Sequence, residues 1–223
     1  MPNINEIVKT RHSVRRYKDD LIPDNIVFFL KEKLAKINSD TNLNFQLILN
    51  DKETFSAYKL HYGKIYNCAN YIALIGNKQS KNLDELVGYY GEKIVLEIQK
   101  LGLNTCWVGA GYSRKKLNIK LNRGERLVCV IALGYGTYPG KERPSKTYEE
   151  VSVTSKAPDW YSRGIEYALL APTSMNRQNF KFELHENNVV SLKVGIGPFA
   201  KVDFGIVKYH FELGAGIQNF KWK

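Results

Sequence analysis

Cysteine is scarce and carries no pattern. The chain holds only Cys68, Cys106 and Cys129, an odd number without the short paired spacings that zinc sites and disulfide frameworks need. The simplest reading is a reduced, cytoplasmic protein. Long apolar runs are missing as well. The stretch MPNINEIVKTRHSVRRYKDD has no apolar core of the signal-peptide kind, and charge interrupts every apolar window well short of a membrane span, so no membrane partner is expected. Several catalytic signatures are absent: there is no H-E-x-x-H pair, no Walker loop and no G-x-S-x-G elbow. GYGTYPG is rich in glycine but lacks the strand–turn–helix setting of a dinucleotide fingerprint. No metal site is expected. Acidic residues are few, 22 against 33 Lys and Arg, for a net charge of +11. Such an excess favours anionic partners, whether nucleic acid, anionic membrane or phosphate-bearing ligands. Most lysines, as in KEKLAK and SRKKLNIK, read as solvated helix faces. No stretch clearly interleaves them with exposed aromatics as a nucleic-acid surface would.

What is present is enough apolar residue, 43% of 223 positions, to build a sizeable core. DNIVFFLKEKLAKIN (24–38) has apolar residues at helical spacing behind an expected Asp24 cap. NFQLILN reads as a strand, and NYIALIG as a short buried one. DELVGYYGEKIVLEIQKLGL is the longest helix, with Gly102 suited to its end. NTCWVGAG reads as a strand breaking into a glycine turn, and ERLVCVIALGYG as a strand at the sheet centre. YGTYPGKERPSK is a connector. APDWYSRGIEYALLAP is a second capped helix, NFKFELH and VVSLKVGIG are strands, and VDFGIVKYHFELGAG is a further helix with Asp203 as its expected cap.

The late elements echo the early ones. NFQLIL at Asn44 and NFKFEL at Asn179 share N-F-x-[LF]-x-L. At the same offset Ser39 meets Ser174, Leu34 meets Leu169 and Leu30 meets Ile165. YGEKIVLEIQKLG also resembles FGIVKYHFELGAG. The pattern suggests an internal duplication, although short α/β stretches can look alike by chance.

Three clusters could carry chemistry. TRHSVRRYKDD gathers Arg11, His12, Ser13 and Arg15, and guanidinium groups suit phosphate; alone, such a cluster is more often a solvated face. GKERPSK adds Lys141, Arg143 and Lys146 in a turn-rich setting. APTSMNRQNF crowds Thr173, Ser174, Asn176 and Gln178 between a helix and a strand, which is either an ordinary polar loop or a rack of amides and hydroxyls aimed at a ligand. His61 and His210 read as packed or surface histidines rather than general bases. Cys106 reads as a packed thiol, since reactive thiols need exposure.

Four of these pieces together resemble the nitroreductase family of flavin enzymes. RHSVRRY resembles its R-x-S-x-R-x-[FY] motif, and APTSMNRQNFKF its A-P-S-x-x-N-x-Q-P-[WF] motif. GEKIVLEIQKLGLNTCWVGAG resembles its core helix followed by G-L-x-T-x-W-[IV]-G, and VIALGYGTYPGKER its terminal strand, glycine turn and K-x-R pair. The order is unusual: in the ordinary family the A-P-S-x-x-N motif lies in the first third of the chain, whereas here it lies in the second half and the early position, INSDTNLNF, is degenerate. Asn179 also stands where the family usually has Pro. This arrangement is similar to the subgroup called the putative TM nitroreductases.

The resemblance implies an α+β, nitroreductase-like three-layer fold, a mainly antiparallel sheet flanked by helices with a pseudo-twofold internal duplication. Residues 1–150 would form an N-terminal half and 151–223 a shorter C-terminal half, together one compact unit. It implies FMN, with NADH or NADPH as reductant and a small-molecule acceptor such as a nitroaromatic or quinone, reduced by a ping-pong route. Arg11, His12 and Ser13 would bind the FMN phosphate and ribityl chain, with Arg15 near the pyrimidine edge. Lys141 and Arg143 would close on the phosphate. Val108 and Gly109 would present backbone near the flavin, and Pro172, Thr173, Ser174 and Asn176 would line it from the second half. No side chain need act as acid or base, because the cofactor carries the chemistry. The expected particle is a monomer, a fused pseudo-dimer. The alternatives are a non-catalytic flavin-binding protein for storage or sensing, and a basic nucleic-acid-binding protein on the same scaffold.

Overall fold

NYIALIG forms a buried strand, and the first sheet is assembled around it. The computed structural model describes residues 3–56 and 64–223; His61, read above as a packed or surface histidine, lies outside them. The chain divides into two units, the first comprising Met1–Leu83 and Lys93–Glu142, the second Asp84–Glu92 and Arg143–Lys223.

In the first unit, α1 (Ile4–Thr10) is too short to announce itself by periodicity. A capping box holds it: the Asn3 side chain accepts from Asn5 N–H, and Glu6 accepts from Asn3 N–H. α2 (Asp24–Thr41) buries Leu30, Leu34 and Ile37 of the apolar stripe, leaves Ile26 and Phe29 half-buried, and stops at Asn42 in the left-handed region. Next come β1 (Gln46–Ile48), α3 (Glu53–Ser56), β2 (Asn70–Asn77), α4 (Leu83–Lys100), β3 (Asn104–Val108) and β4 (Glu125–Gly134). The four strands lie in the order β1-β2-β4-β3, every pair antiparallel. β4 is internal, as its apolar sequence predicts, and is buried from Leu127 to Leu133. Cys68, Cys106 and Cys129 are all buried and free. SRKKLNIK, expected as a helix face, makes only one exposed 3-10 turn at Arg114–Lys116.

The second unit holds α5 (Tyr148–Val151), α6 (Asp159–Leu170), β5 (Phe180–His185), β6 (Val189–Val194), α7 (Ala200–Ala215) and β7 (Lys221–Trp222). β5 and β6 are antiparallel; β7, which the sequence reading missed, joins β6 in parallel. Phe211 anchors the core. Its ring stacks on Phe182 at 4.7 Å and meets Tyr161 edge-on at 5.7 Å, and all three are fully buried. The start of α4, residues 84–92, also belongs here. Gly88 lies against the Val202 carbonyl and Gly205 against the Glu85 carbonyl, each without room for a Cβ, so side-chain size sets how closely α4 and α7 approach.

The expected caps Asp24 and Asp203 are corrected, and the helix in APDWYSRGIEYALLAP has no side-chain cap either. The cap positions belong to Pro23, Pro158 and Phe199, and none makes a side-chain cap bond. Asp24 and Asp159 are the first helical residues, where a carboxylate still favours the helix N-terminus. A proline in extended backbone before each takes the cap position. Asp203 is the fourth residue of α7 and bonds elsewhere. The element order helix–strand–strand–helix occurs twice, as α2-β1-β2-α4 (with the short α3 inserted) and as α6-β5-β6-α7. Among the described residues no helix is long and apolar enough to cross a membrane.

Candidate functional site

Arg11 emerges at the end of α1, where its N–H closes on the Ile7 carbonyl. From there RHSVRRY runs extended and is bonded on both sides. Val14 N–H donates to Thr105 O at 3.0 Å, Tyr66 N–H to Arg15 O at 2.8 Å, Tyr17 N–H to Tyr66 O at 3.1 Å, and Lys18 N–H to Tyr135 O at 2.7 Å. Buried Val14 and Tyr17 anchor the segment, and the Tyr17 hydroxyl donates to the Val14 carbonyl at 2.8 Å. This places Ser13 beside Thr105 in β3. Arg11 is 2% exposed, an unusual position for a guanidinium.

Cys106 shows what these side chains surround. Burial pushes its thiol pKa up, against the lowering effects of the Arg15 charge, a Ser13 hydrogen bond and the Arg11 charge. Arg11, Ser13 and Arg15 therefore gather at one thiol, which itself stays protonated and packed, as expected. Gly140 comes to the same place from the connector. It sits in the left-handed region at φ +94°, and an added Cβ would run into the Cβ of His12. Exposed Lys141 follows directly. The structure thus joins RHS and GK, far apart in sequence, within the first unit. Val108 ends β3, buried, and Gly109 is the partly exposed residue after it.

The second unit holds the other motif. After α6 the chain turns sharply, with Met175, Asn176 and Gln178 all at positive φ, 55°, 54° and 44°. Asn tolerates this region; Met and Gln do so at a cost, and such strain concentrates at functional turns. Much of the polarity is spent internally. Gln178, 1% exposed, donates to Leu169 O at 2.8 Å and to Ser145 Oγ at 3.2 Å, and accepts from Lys146 N–H at 2.7 Å. Gln178 N–H donates to Thr173 Oγ1 at 3.0 Å. Asn176 Nδ2 donates to Pro144 O at 2.8 Å. Ser174 N–H donates to both Asp203 oxygens, at 2.9 and 3.1 Å. One atom is left over: Asn176 Oδ1 is buried with no hydrogen-bond partner among the described residues.

Arg143 takes a place the sequence does not announce. Its Nη2 donates at 2.7 Å to both the Leu170 and Ala171 carbonyls, satisfying the open end of α6. It belongs to the second unit and Lys141 to the first. Pro172 is buried at the head of the turn, and Thr173 and Ser174 are partly exposed. His210 is packed, with both ring nitrogens engaged. A separate recess of about 210 Å³ in the first unit is lined by Tyr17, Lys18, Asp19, Lys52, Asn67 and Asn70 among others. None of the expected site residues lines it, and Lys52 is paired with Asp19 at 2.9 Å.

With this geometry in hand, the chain can be set beside known proteins. A search of curated proteins returns no match. Among solved structures, a Thermotoga maritima protein described as a putative nitroreductase is 20% identical; the match covers 96% of this chain and 83% of that one, with a TM-score of 0.71. A Desulfovibrio desulfuricans protein, described in the same words and in complex with FMN, is 18% identical over 71% of this chain and 99% of its own, with a TM-score of 0.56. A Clostridium acetobutylicum protein named "Putative NADH Oxidase" is 19% identical over 67% and 99%, with a TM-score of 0.52. At such identities the likeness shows an α+β fold of the nitroreductase kind. The model of the family described as "Putative TM nitroreductase" matches residues 3–215, and the chain belongs to that family.

Proposed function

We propose that this protein is an FMN-dependent oxidoreductase that carries electrons from NADH or NADPH to a small conjugated acceptor. The observation that carries this reading is the meeting of Arg11, Ser13, Arg15 and the Gly140–Lys141 turn around β3. Two guanidinium groups and a hydroxyl in one place suit an anionic ligand, since charge-assisted bonds to guanidinium are strong and directional. The Gly140 backbone lies where any side chain would collide with His12, which suits a turn drawn tight against a ligand. Unpartnered Asn176 Oδ1 in the second unit suits an amide-bearing ring. Family membership and the FMN complex of the Desulfovibrio relative support the same choice.

Arg11, His12, Ser13 and Lys141 would hold the phosphate and ribityl chain, and Arg15 would supply positive charge toward the pyrimidine edge. Val108 and Gly109 would offer backbone, and Pro172, Thr173, Ser174 and Asn176 would contact the ring system. Arg143 is left out of the phosphate set, because its Nη2 holds the carbonyls that end α6. When bound, FMN supplies the redox chemistry, taking hydride from the nicotinamide and passing electrons to a nitroaromatic, quinone or similar acceptor. The chain's own task is to bind and orient, and no side chain is assigned a proton transfer. We also infer that the repeated helix–strand–strand–helix order records a duplication that left one working copy of each motif.

The absorbance spectrum of the purified protein, followed by reconstitution with FMN and FAD and by assays with both nicotinamides, tests the reading. Bound FMN and oxidation of NADH or NADPH are expected. Tight FAD binding without FMN affinity, or no flavin binding at all, would overturn it.

A further inference from the structure

Asp203 lies in the first turn of α7, but its carboxylate does not cap that helix. It reaches out to the Thr173–Asn176 turn and takes the Ser174 N–H with both oxygens, at 2.9 and 3.1 Å. That N–H opens the 3-10 turn Ser174–Asn176, which carries two left-handed residues in succession, Met175 and Asn176. A turn in an unfavourable backbone region persists only where its surroundings over-determine it. The Asp203 carboxylate is one such fixture, and a charged acceptor makes a stronger bond than a neutral one.

The surroundings of this carboxylate are unusual for an acid. It is partly buried beside a narrow recess shared with Ser174, Arg177, Asn179, Gly195 and Gly197. Burial raises its pKa to about 7, with the Ser174 N–H and the Arg177 charge pulling the other way. The other charged groups nearby do not compensate it. Lys201 on α7 is exposed, Glu85 of α4 is paired with Lys208 at 2.9 Å, and the loop Gly195–Phe199 carries no titratable side chain.

We propose that Asp203 is a positioning residue whose ionised carboxylate fixes the Thr173–Asn176 turn, and that protonating it loosens the turn and weakens FMN binding. The second half of this statement rests on the functional reading above; the first half does not. In the ionised state Ser174 N–H is held between two oxygens. In the protonated state one oxygen becomes a donor and the remaining acceptor is neutral, so the turn relaxes.

The Ser174 amide proton shift, followed by NMR from pH 5.5 to 8.5, reads the first half without flavin. FMN titration over the same range reads the second. In the wild type we expect the Ser174 shift to titrate near neutrality and FMN to bind about tenfold more weakly at the acid end. Asp203→Asn keeps the size but not the charge; its Ser174 shift should be flat and its FMN affinity low and independent of pH. Asp203→Glu, which keeps the charge, should restore a titration. A Ser174 shift that ignores pH in the wild type, or titrates unchanged in Asp203→Asn, overturns the inference. An FMN affinity in Asp203→Asn that follows the wild-type pH curve overturns it too. Failure to bind FMN at any pH, with Ser174 still titrating, sinks the flavin reading and leaves the role of Asp203 in the turn intact.

Discussion

His210 Nε2 lies 2.9 Å from Glu92 Oε1, and neither side chain is reached by solvent. The other ring nitrogen, Nδ1, lies 3.1 Å from the Tyr167 carbonyl. A carbonyl only accepts, so Nδ1 carries a proton, and the Nε2–Glu92 contact holds one more, on either partner. Glu92, His210 and Tyr167 come from α4, α7 and α6, so one polar link ties three helices inside the second unit.

Removing one partner of that link leaves the other buried without its match. Glu92→Leu is therefore expected to cost about 3–5 kcal/mol of stability, measured by urea unfolding. Glu92→Leu combined with His210→Leu should cost clearly less than the two single changes added together. Additivity would mean that the pair is not energetically coupled.

Arg11→Ala should raise the FMN dissociation constant by roughly ten- to a hundredfold, the weight of one or two charge-assisted bonds. Lys115→Ala, on the exposed 3-10 turn, should change it little, since an exposed ammonium contributes only screened attraction. Fluorescence titration of both variants, each checked for native circular dichroism, compares them. Equal losses would mean that general basicity governs binding.

Asn176→Gly isolates the amide from the backbone. Glycine accepts the positive φ at that position at no steric cost, so the turn should survive while the Nδ2 bond to Pro144 and the unpartnered Oδ1 are lost. We expect weaker flavin binding, several-fold or more, with a melting temperature close to that of the wild type. Unchanged titration would return APTSMNRQ to the status of an ordinary loop.

The pH dependence of stability follows from Asp203 with a definite sign. Its folded pKa, about 7, lies above the value near 4 of an unfolded aspartate. The folded state therefore binds the proton more tightly, and this group's contribution falls as pH rises from about 4 to about 7. The full loss is at most roughly 4 kcal/mol. Asp51 and Glu125 act in the opposite sense: hydrogen bonds outweigh burial and lower their pKa values, so their contribution is lost as pH falls through the acid range. The difference between wild type and Asp203→Asn in urea midpoint, taken at pH 5 and pH 8, removes the shared terms. It should favour the variant at pH 8.

One FMN per chain and a monomer in solution are expected, because each motif occurs in one good copy. Size exclusion with light scattering, and flavin counted by absorbance, checks both. Two flavins per chain would contradict the degeneracy of INSDTNLNF.

The long elements were legible because periodicity is a property of many residues at once. α2, α4, α6, α7, β2 and β4 all fall where the apolar spacing predicts. What escaped was short or set by distant partners. α1 has seven residues and β7 two, too few for any repeat to register. The Asp24 cap was misplaced because Asp24 follows a proline that fills the cap position. The candidate site was legible only as a set of motifs, not as a division of labour. Nothing in GKERPSK says that Arg143 serves the end of α6 while Gly140 leans on His12. Nor does the sequence around Asp203 say that its partner is Ser174, 29 residues earlier. These pairings are made by tertiary placement, which leaves no local trace.

The three buried cysteines give the protein a clock of its own. Cys68, Cys106 and Cys129 are all buried, 2–4% exposed, and all belong to the first unit. A thiol reagent can therefore reach them only when that unit opens, and the rate of labelling measures how often it does. Cys106 lies beside Ser13, Arg15 and Arg11. A ligand seated on those side chains should slow its modification, so mass spectrometry of the labelled peptide would report occupancy without a chromophore, an assay or an engineered tag.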